Sequence, residues 1–217
     1  MIDLELNSST DLKREGKSFY WASFFLPKSS KKNAGILYSI CRYFDDIADK
    51  HSQDQSNYLK NSIEEIKNNK NNKVNVFLKK NNINNAIFID LINGLILDQK
   101  NIRIQNKEEL IKYSYHVAGT VGLMMSKIIG VKHDKAARSA IDLGIGMQLT
   151  NIARDVYEDS KMKRIYLPAN WIPNISLKNL IDLDETSIEK DETIANAIHK
   201  VISLSDKFYE NGYAGLK

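Results

Sequence analysis

Apolar residues recur at intervals of three and four along most of the chain. Between Ala34 and Asp49 they fall at Ile36, Leu37, Ile40, Cys41, Phe44, Ile47 and Ala48. That spacing is the stripe that a helix with one buried face requires. Ile63 and Ile66 open a weaker helical stretch, and Ile87, Leu91 and Leu95 share one stripe of a helix over Ala86 to Leu97. Glu108 to Ile129 predicts a long helix broken at Gly119 and Gly122. Lys135 to Ser160 predicts a longer one without proline, and Pro168 and Pro173 end that region. Ile194, Ile198, Val201 and Leu204 carry a last helix over Ile188 to Asn211. Alternation of period two is sustained nowhere. The pattern therefore predicts an all-α bundle, one domain over residues 1–217 with no linker.

Composition narrows this picture without changing it. The chain has 217 residues, 42% hydrophobic and 27% charged, which excludes disorder throughout. Ten glycines and three prolines are few, in keeping with long helices. The single cysteine, Cys41, excludes a disulfide framework and fits a reducing compartment; its plainest role is small core packing. A formal charge of +4 is too mild to imply nucleic acid. The Asn- and Lys-rich stretch from Asn68 to Asn85 has no aromatic residues spaced for base stacking beyond the lone Phe77 and reads as solvated loops or polar helix ends. The segment Met1 to Lys17 lacks the apolar centre of a signal peptide. No stretch reaches the roughly 18 apolar residues of a membrane span. The expectation is a cytoplasmic protein that at most lies on a membrane surface.

Two polar clusters then stand out on otherwise apolar helices. In the first, Arg42-Tyr-Phe-Asp45-Asp46-Ile-Ala-Asp49, Asp45 and Asp49 lie one turn apart on one face. In the second, Gln148-Leu-Thr-Asn151-Ile-Ala-Arg154-Asp155-Val-Tyr-Glu158-Asp159, the residues Asn151, Asp155 and Asp159 fall four apart, with Gln148 beside them. Like charges at that spacing repel, and polar groups inside a bundle are costly unless paired or ligating. Mg²⁺ is the natural neutraliser, because it takes oxygen ligands from one or two carboxylates plus substrate phosphates. Arg42 and Arg154 add cations suited to diphosphate oxygens. Two such stripes facing each other would make an acidic mouth over apolar walls, with Phe24, Phe25, Leu123, Met124 and Ile145 as candidates. That layout suits ionisation of an allylic diphosphate.

Five separated stretches resemble the squalene and phytoene synthase family. They are Lys17-Ser18-Phe19 with Leu26-Pro27; Leu37-Tyr38 through Asp49; Tyr113-Ser-Tyr115-His116-Val117-Ala118-Gly119-Thr120-Val121-Gly122; Leu143-Gly144 through Asp159; and Arg164-Ile-Tyr166-Leu167-Pro168. The resemblance implies an isoprenoid-synthase-type bundle with a central apolar pocket and the head-to-head condensation of two prenyl diphosphates. It implies Mg²⁺, with Mn²⁺ as the alternative. Asp45, Asp49, Asn151 and Asp155 resemble the metal ligands, with Asp46 and Asp159 in support. Arg42, Arg154, Gln148 and Arg164 resemble diphosphate or pocket contacts, joined by Ser18 and Phe19. Gly16 stands where the family usually has a serine, and Ser18 is placed to compensate. Tyr38 and Tyr113 match tyrosines facing the reacting centre, with core packing as the alternative. Val117, Ala118, Gly119, Val121 and Gly122 match a kinked pocket helix, and the glycines also suit close helix packing. His116 has no second ligand at metal spacing and reads as a packed histidine.

Leu149 to Asp155 and Ile165 to Trp171 look most like bacterial phytoene synthases. These join two geranylgeranyl diphosphates through a cyclopropyl (prephytoene) diphosphate without NADPH. Squalene or dehydrosqualene formation from farnesyl diphosphate is the first alternative, and a non-catalytic assembly or binding protein the second. A head-to-tail prenyltransferase or terpene cyclase would share the aspartate clusters, but not the Val117 to Gly122 and Gln148 to Asp155 segments. So apolar a product implies a membrane surface and a downstream carotenoid desaturase as partners. The chain ends at Lys217, where the family's pattern continues, so the closing helices and a further tyrosine are expected to be missing.

Overall fold

In the computed structural model the described residues are 17–50, 52–99, 102–182, 184, 187 and 191–216. The helices are α1 (Lys17–Ala22), α2 (Lys28–Ala48), α3 (Gln53–Lys67), α4 (Lys73–Lys80), α5 (Asn85–Asp98), α6 (Lys107–Ser114), α7 (Thr120–Ile128), α8 (Asp134–Arg154), α9 (Val156–Lys161), α10 (Leu177–Asp182) and α11 (Glu192–Tyr213). A π-helical turn, Tyr115–Gly119, joins α6 to α7. The all-α expectation holds: among the described residues the extended backbone amounts to one isolated parallel bridge, Arg103 to Ile165. No helix among them is long and apolar enough to cross a membrane.

Polar side chains set many of the helix starts. Ser52 accepts from the N–H of Gln55, Asn72 from Asn75, Asn84 from Ala86, Asn106 from Glu109, and Asp191 from both Thr193 and Ile194. Each satisfies donors that a helix N-terminus leaves open, at about 1 kcal/mol apiece. The Asn-rich stretch is thereby explained as punctuation. Asn72 and Asn84 are caps, and Asn69 (φ 50°) and Asn82 (φ 53°) take the left-handed turns around α4. The hydrophobic pattern did not foretell α4, a short helix that buries Val74, Phe77 and Leu78. Ile63 and Ile66 do not open a helix; they sit in the last turns of α3.

Two apolar cores lie side by side. The first gathers Leu37, Ile40 and Phe44 of α2 with Leu59 and Ile66 of α3, Phe88 and Ile92 of α5, and Met124 of α7. Phe44 meets Phe88 edge to face, centroids 5.3 Å apart. The second gathers Leu110 and Tyr113 of α6, Ile145, Leu149 and Ile152 of α8, the segment Ile165 to Leu167, and Ile194, Ala197 and Val201 of α11. Full burial of each such side chain is worth about 1.5–3 kcal/mol. The π turn and α7 run between the cores, with Val121 packed on the first and Val117 on the second. Close backbone approach seats them on α8. A Cβ on Gly122 would lie 2.1 Å from the Ala140 carbonyl oxygen, and one on Gly144 would lie 2.4 Å from that of Ala118.

Candidate functional site

The last turns of α2 carry the first acidic cluster. Asp45 is half-buried, while Asp46 and Asp49 are exposed. Arg42 forks between two of them, Nη1 to Asp45 Oδ2 at 3.1 Å and Nη2 to Asp46 Oδ1 at 2.9 Å. Burial pushes the Asp45 carboxyl up to about 6, the Asp49 charge adds to the rise, and Arg42 opposes it. Tyr38 is half-buried one turn before Arg42, on the same stripe.

The second cluster straddles a break. The expected single helix to Ser160 is divided at Asp155, which caps α8 and begins α9 with φ −101° and ψ 23°. The backbone hydrogen bonds from Asp155 N–H to the Asn151 carbonyl (2.9 Å) and from Asp159 N–H to the Asp155 carbonyl (2.8 Å) carry the four-residue register across it. Asn151, Asp155 and Asp159 thus remain consecutive rungs. Arg154 binds Asp155 in bidentate fashion, at 2.5 and 2.6 Å, with its own side chain 66% exposed. Asp159 is pushed up to about 7, by burial first and by Asp155 next, with Arg164 opposing. Gln148 and Asn151 are half-buried.

Arg164 brings the two clusters together. It is 7% exposed, and its Nη2 donates to Asp49 Oδ1 at 2.9 Å. Its charge also acts on Asp159 and on Asp98. Asp159, Arg164 and Tyr166 line one recess, floored by Ile152, Val156 and Leu180.

Asp98, at the end of α5, escaped the sequence reading. It is 6% exposed and accepts hydrogen bonds from Tyr113 (2.9 and 3.0 Å) and Tyr166 (2.7 Å), whose rings stack 4.8 Å apart. Burial raises its carboxyl to about 6, against the pull of the two tyrosines and Arg164. Burial also holds both tyrosine hydroxyls protonated, so they remain donors. A lone aspartate ending an apolar helix gives no periodic signal. The signal that could have found it is its charge three residues after Leu95, in line with the buried Leu91 and Leu95.

The other expected residues fall as follows. Gly119 is buried against Ile141 and Ile145, and Gly122 against α8, so both serve helix packing. Val117 and Val121 are half-buried on either side of the π turn. The side chains of Ser18 and Phe19 lie outside the described residues. Phe24 and Phe25 are not pocket walls: they are 53% and 92% exposed. The 3-10 turn Ser23–Phe25 buries Ser23 instead, and Lys31 places its ammonium 3.4 Å from the Phe24 ring centroid. Met124 and Ile145 are buried, but in different cores.

Among the described residues no three His, Cys, Asp or Glu side chains converge to hold a metal ion by themselves. The donors nevertheless fit a hard divalent cation. They are carboxylate and amide oxygens, and Asp45 and Asp159 are raised by burial first and by a neighbouring carboxylate next. An ion held by one or two of them would complete its shell from water or phosphate oxygens.

The comparisons with known proteins agree with this arrangement. The squalene/phytoene synthase family model matches residues 12–217. The 15-cis-phytoene synthase of Enterobacter agglomerans is 30% identical over 92% of this chain and 73% of its own. That of Paracoccus sp. is 28% identical over 100% of this chain and 75% of its own. Among solved structures, a dehydrosqualene synthase in complex with ligand superposes with a TM-score of 0.81 at 27% identity, covering 95% of this chain and 75% of that one. The squalene synthase of Alicyclobacillus acidocaldarius shares the fold, with a TM-score of 0.79 at 20% identity over 94% of this chain and 79% of that one. Sequence motifs, helical architecture and converging acidic stretches therefore lead to one conclusion: the chain belongs to the squalene/phytoene synthase family of prenyltransferases.

Proposed function

We propose that the chain condenses two geranylgeranyl diphosphates head to head, through a cyclopropyl (prephytoene) diphosphate, to phytoene. The observation that carries this reading is the meeting of two acidic stretches at Arg164, beside the locked Asp98–Tyr113–Tyr166 group. Phytoene synthases among the relatives support the choice of substrate.

Asp45, Asp49, Asn151, Asp155 and Asp159, with Asp46 in support, would hold Mg²⁺ or Mn²⁺. When bound, such a cation supplies positive charge that stabilises a departing diphosphate. Arg42 and Arg154 stand at the two edges of the site, each forked on carboxylates, and exchange those partners for diphosphate oxygens of like geometry. Gln148 orients the same group. Asp98 fixes the Tyr113 hydroxyl and ring, so that its oxygen and π face keep one orientation toward an electron-poor carbon. Tyr38 flanks the Arg42 stripe. Val117 and Val121, with Gly119 and Gly122 seating the π turn on α8, shape the path of the prenyl chain. We take residues 1–217 to act as one domain.

The test is incubation with geranylgeranyl diphosphate and Mg²⁺ without NADPH, with phytoene as the expected product. Folded protein that gives no product sinks the reading. A dehydrosqualene synthase stands among the structural neighbours, so farnesyl diphosphate with and without NADPH tests the second reading. A non-catalytic binding protein would keep its partner after Asp155→Ala, whereas the enzyme loses turnover. The apolar product places the enzyme peripherally at the inner face of a membrane, handing on to a carotenoid desaturase. No nucleic-acid partner belongs to this reading.

A further inference from the structure

We infer that Arg164 is a built-in counter-ion that holds the place of a divalent cation between the two acidic stretches in the ligand-free protein and gives up Asp49 when cation and diphosphate arrive. Three observations carry this. The first is position: one guanidinium, 7% exposed, bonds Asp49 of the first stretch at 2.9 Å, and Arg164 lines the same recess as Asp159 of the second. The second is anchorage. The Arg164 N–H donates to the Asp159 carbonyl at 2.9 Å, the Ile165 N–H to Ile102 at 3.0 Å, and Ile165 accepts from Ile104 at 3.2 Å. Tyr166 is tied to Asp98 at 2.7 Å. The backbone that carries the cation is thus fixed to the second stretch, and the contact to Asp49 crosses to the first. The third is contrast. Arg42, half-buried, and Arg154, exposed, bind aspartates close in sequence, three, four or one residue away.

A fixed buried cation and a divalent ion compete for the same carboxylate, because both answer the same repulsion. Arg164 therefore keeps the mouth assembled without metal, and it weakens metal binding until diphosphate supplies further oxygen ligands. Cation alone would bind poorly, and cation with diphosphate well. The inference deepens the proposed function and rests on its assignment of the acidic residues.

The experiment follows Mn²⁺ binding by electron paramagnetic resonance, with and without inorganic diphosphate. It compares the wild type, Arg164→Met and Arg164→Lys. Arg164→Met is expected to bind Mn²⁺ alone about tenfold more tightly than the wild type, the scale of one close charge coupling. Its thermal midpoint should become strongly Mg²⁺-dependent, while Arg164→Lys stays close to the wild type in both. Unchanged Mn²⁺ affinity in Arg164→Met, with weakened diphosphate binding, would make Arg164 a plain substrate ligand and overturn the inference. If Arg164→Met folds only with Mg²⁺, the inference is supported. If it folds under neither condition, Arg164→Met/Asp49→Asn decides: recovery of the fold supports a charge-balancing role, and equal instability overturns it. Wild type that binds no Mn²⁺ even with diphosphate defeats the underlying assignment itself. Binding by the wild type with diphosphate, without the gain in Arg164→Met, defeats this inference alone.

Discussion

Asp98 is the residue whose removal tells most about the site. Two tyrosines and the charge of Arg164 converge on it. Asp98→Asn keeps the shape and removes the charge, but its amide must donate where the aspartate only accepted. Turnover is expected to fall about 10- to 100-fold, the range for a group that orients others. KM should change less than kcat, since Tyr113 and Tyr166 lose orientation while diphosphate binding is untouched. The stability comparison has a definite sign. The folded carboxyl is raised to about 6 from 3.8, so the native state binds more protons than the unfolded chain between those values. Its contribution therefore falls as pH rises from about 4 to about 6 and stays low above that. The wild type should lose stability relative to Asp98→Asn over this window in chemical denaturation, and a difference independent of pH would contradict the assignment.

At the scale of elements, the chain's helices were legible where one face is apolar over three turns or more. The stripe Leu37, Ile40, Phe44, Ile47 is the buried face of α2, and Ile194, Ala197, Val201 that of α11. What escaped was set by contacts the period does not encode. α2 begins at Lys28, before its apolar stripe, because Pro27 fixes the entry. α4 is two turns long, too short for a period to show. The break at Asp155 follows from no proline or glycine. The acidic stripes themselves were readable from spacing, but that Arg164 joins them across 115 residues was not. The kink between α6 and α7 was foreshadowed by Gly119 and Gly122, and it is a π turn seated on α8. Gly122→Ala would drive a methyl to 2.1 Å from the Ala140 carbonyl oxygen. The helices must then part, at about 1–3 kcal/mol for overpacking. Gly130→Ala meets nothing within 4 Å and suffers only its φ of +86°, roughly 1 kcal/mol. Urea midpoints should rank Gly122→Ala below Gly130→Ala, and only the former should also impair turnover, because it displaces the π turn beside Tyr113.

At the scale of the whole molecule, two well-packed cores are held around a mouth whose charges oppose folding. Asp45 and Asp159 are raised to about 6 and about 7, by burial and by neighbouring aspartates. Near neutral pH their ionised forms are less favourable in the folded protein than in the unfolded one. Function requires those forms and stability does not, so the two should separate on mutation. Asp159→Asn removes one such charge from the recess it shares with Arg164 and Tyr166. In metal-free protein at pH 8 the variant should melt at a higher temperature than the wild type. The sign comes from the raised value: between about pH 4 and about pH 7 the folded wild type binds more protons than its unfolded chain, so the cost of Asp159 grows through that range and is complete above it. At pH 5 the carboxyl is protonated in the folded state and only part of that cost has accrued, so the advantage of the variant should shrink. Saturating Mg²⁺ with inorganic diphosphate should reverse the order at pH 8, because the wild type then gains a bound-state stabilisation that the variant has lost. Melting curves of both proteins at the two pH values, and at pH 8 with and without that pair of ligands, check these outcomes. An advantage of the same size at pH 5 would trace the gain to packing instead of charge.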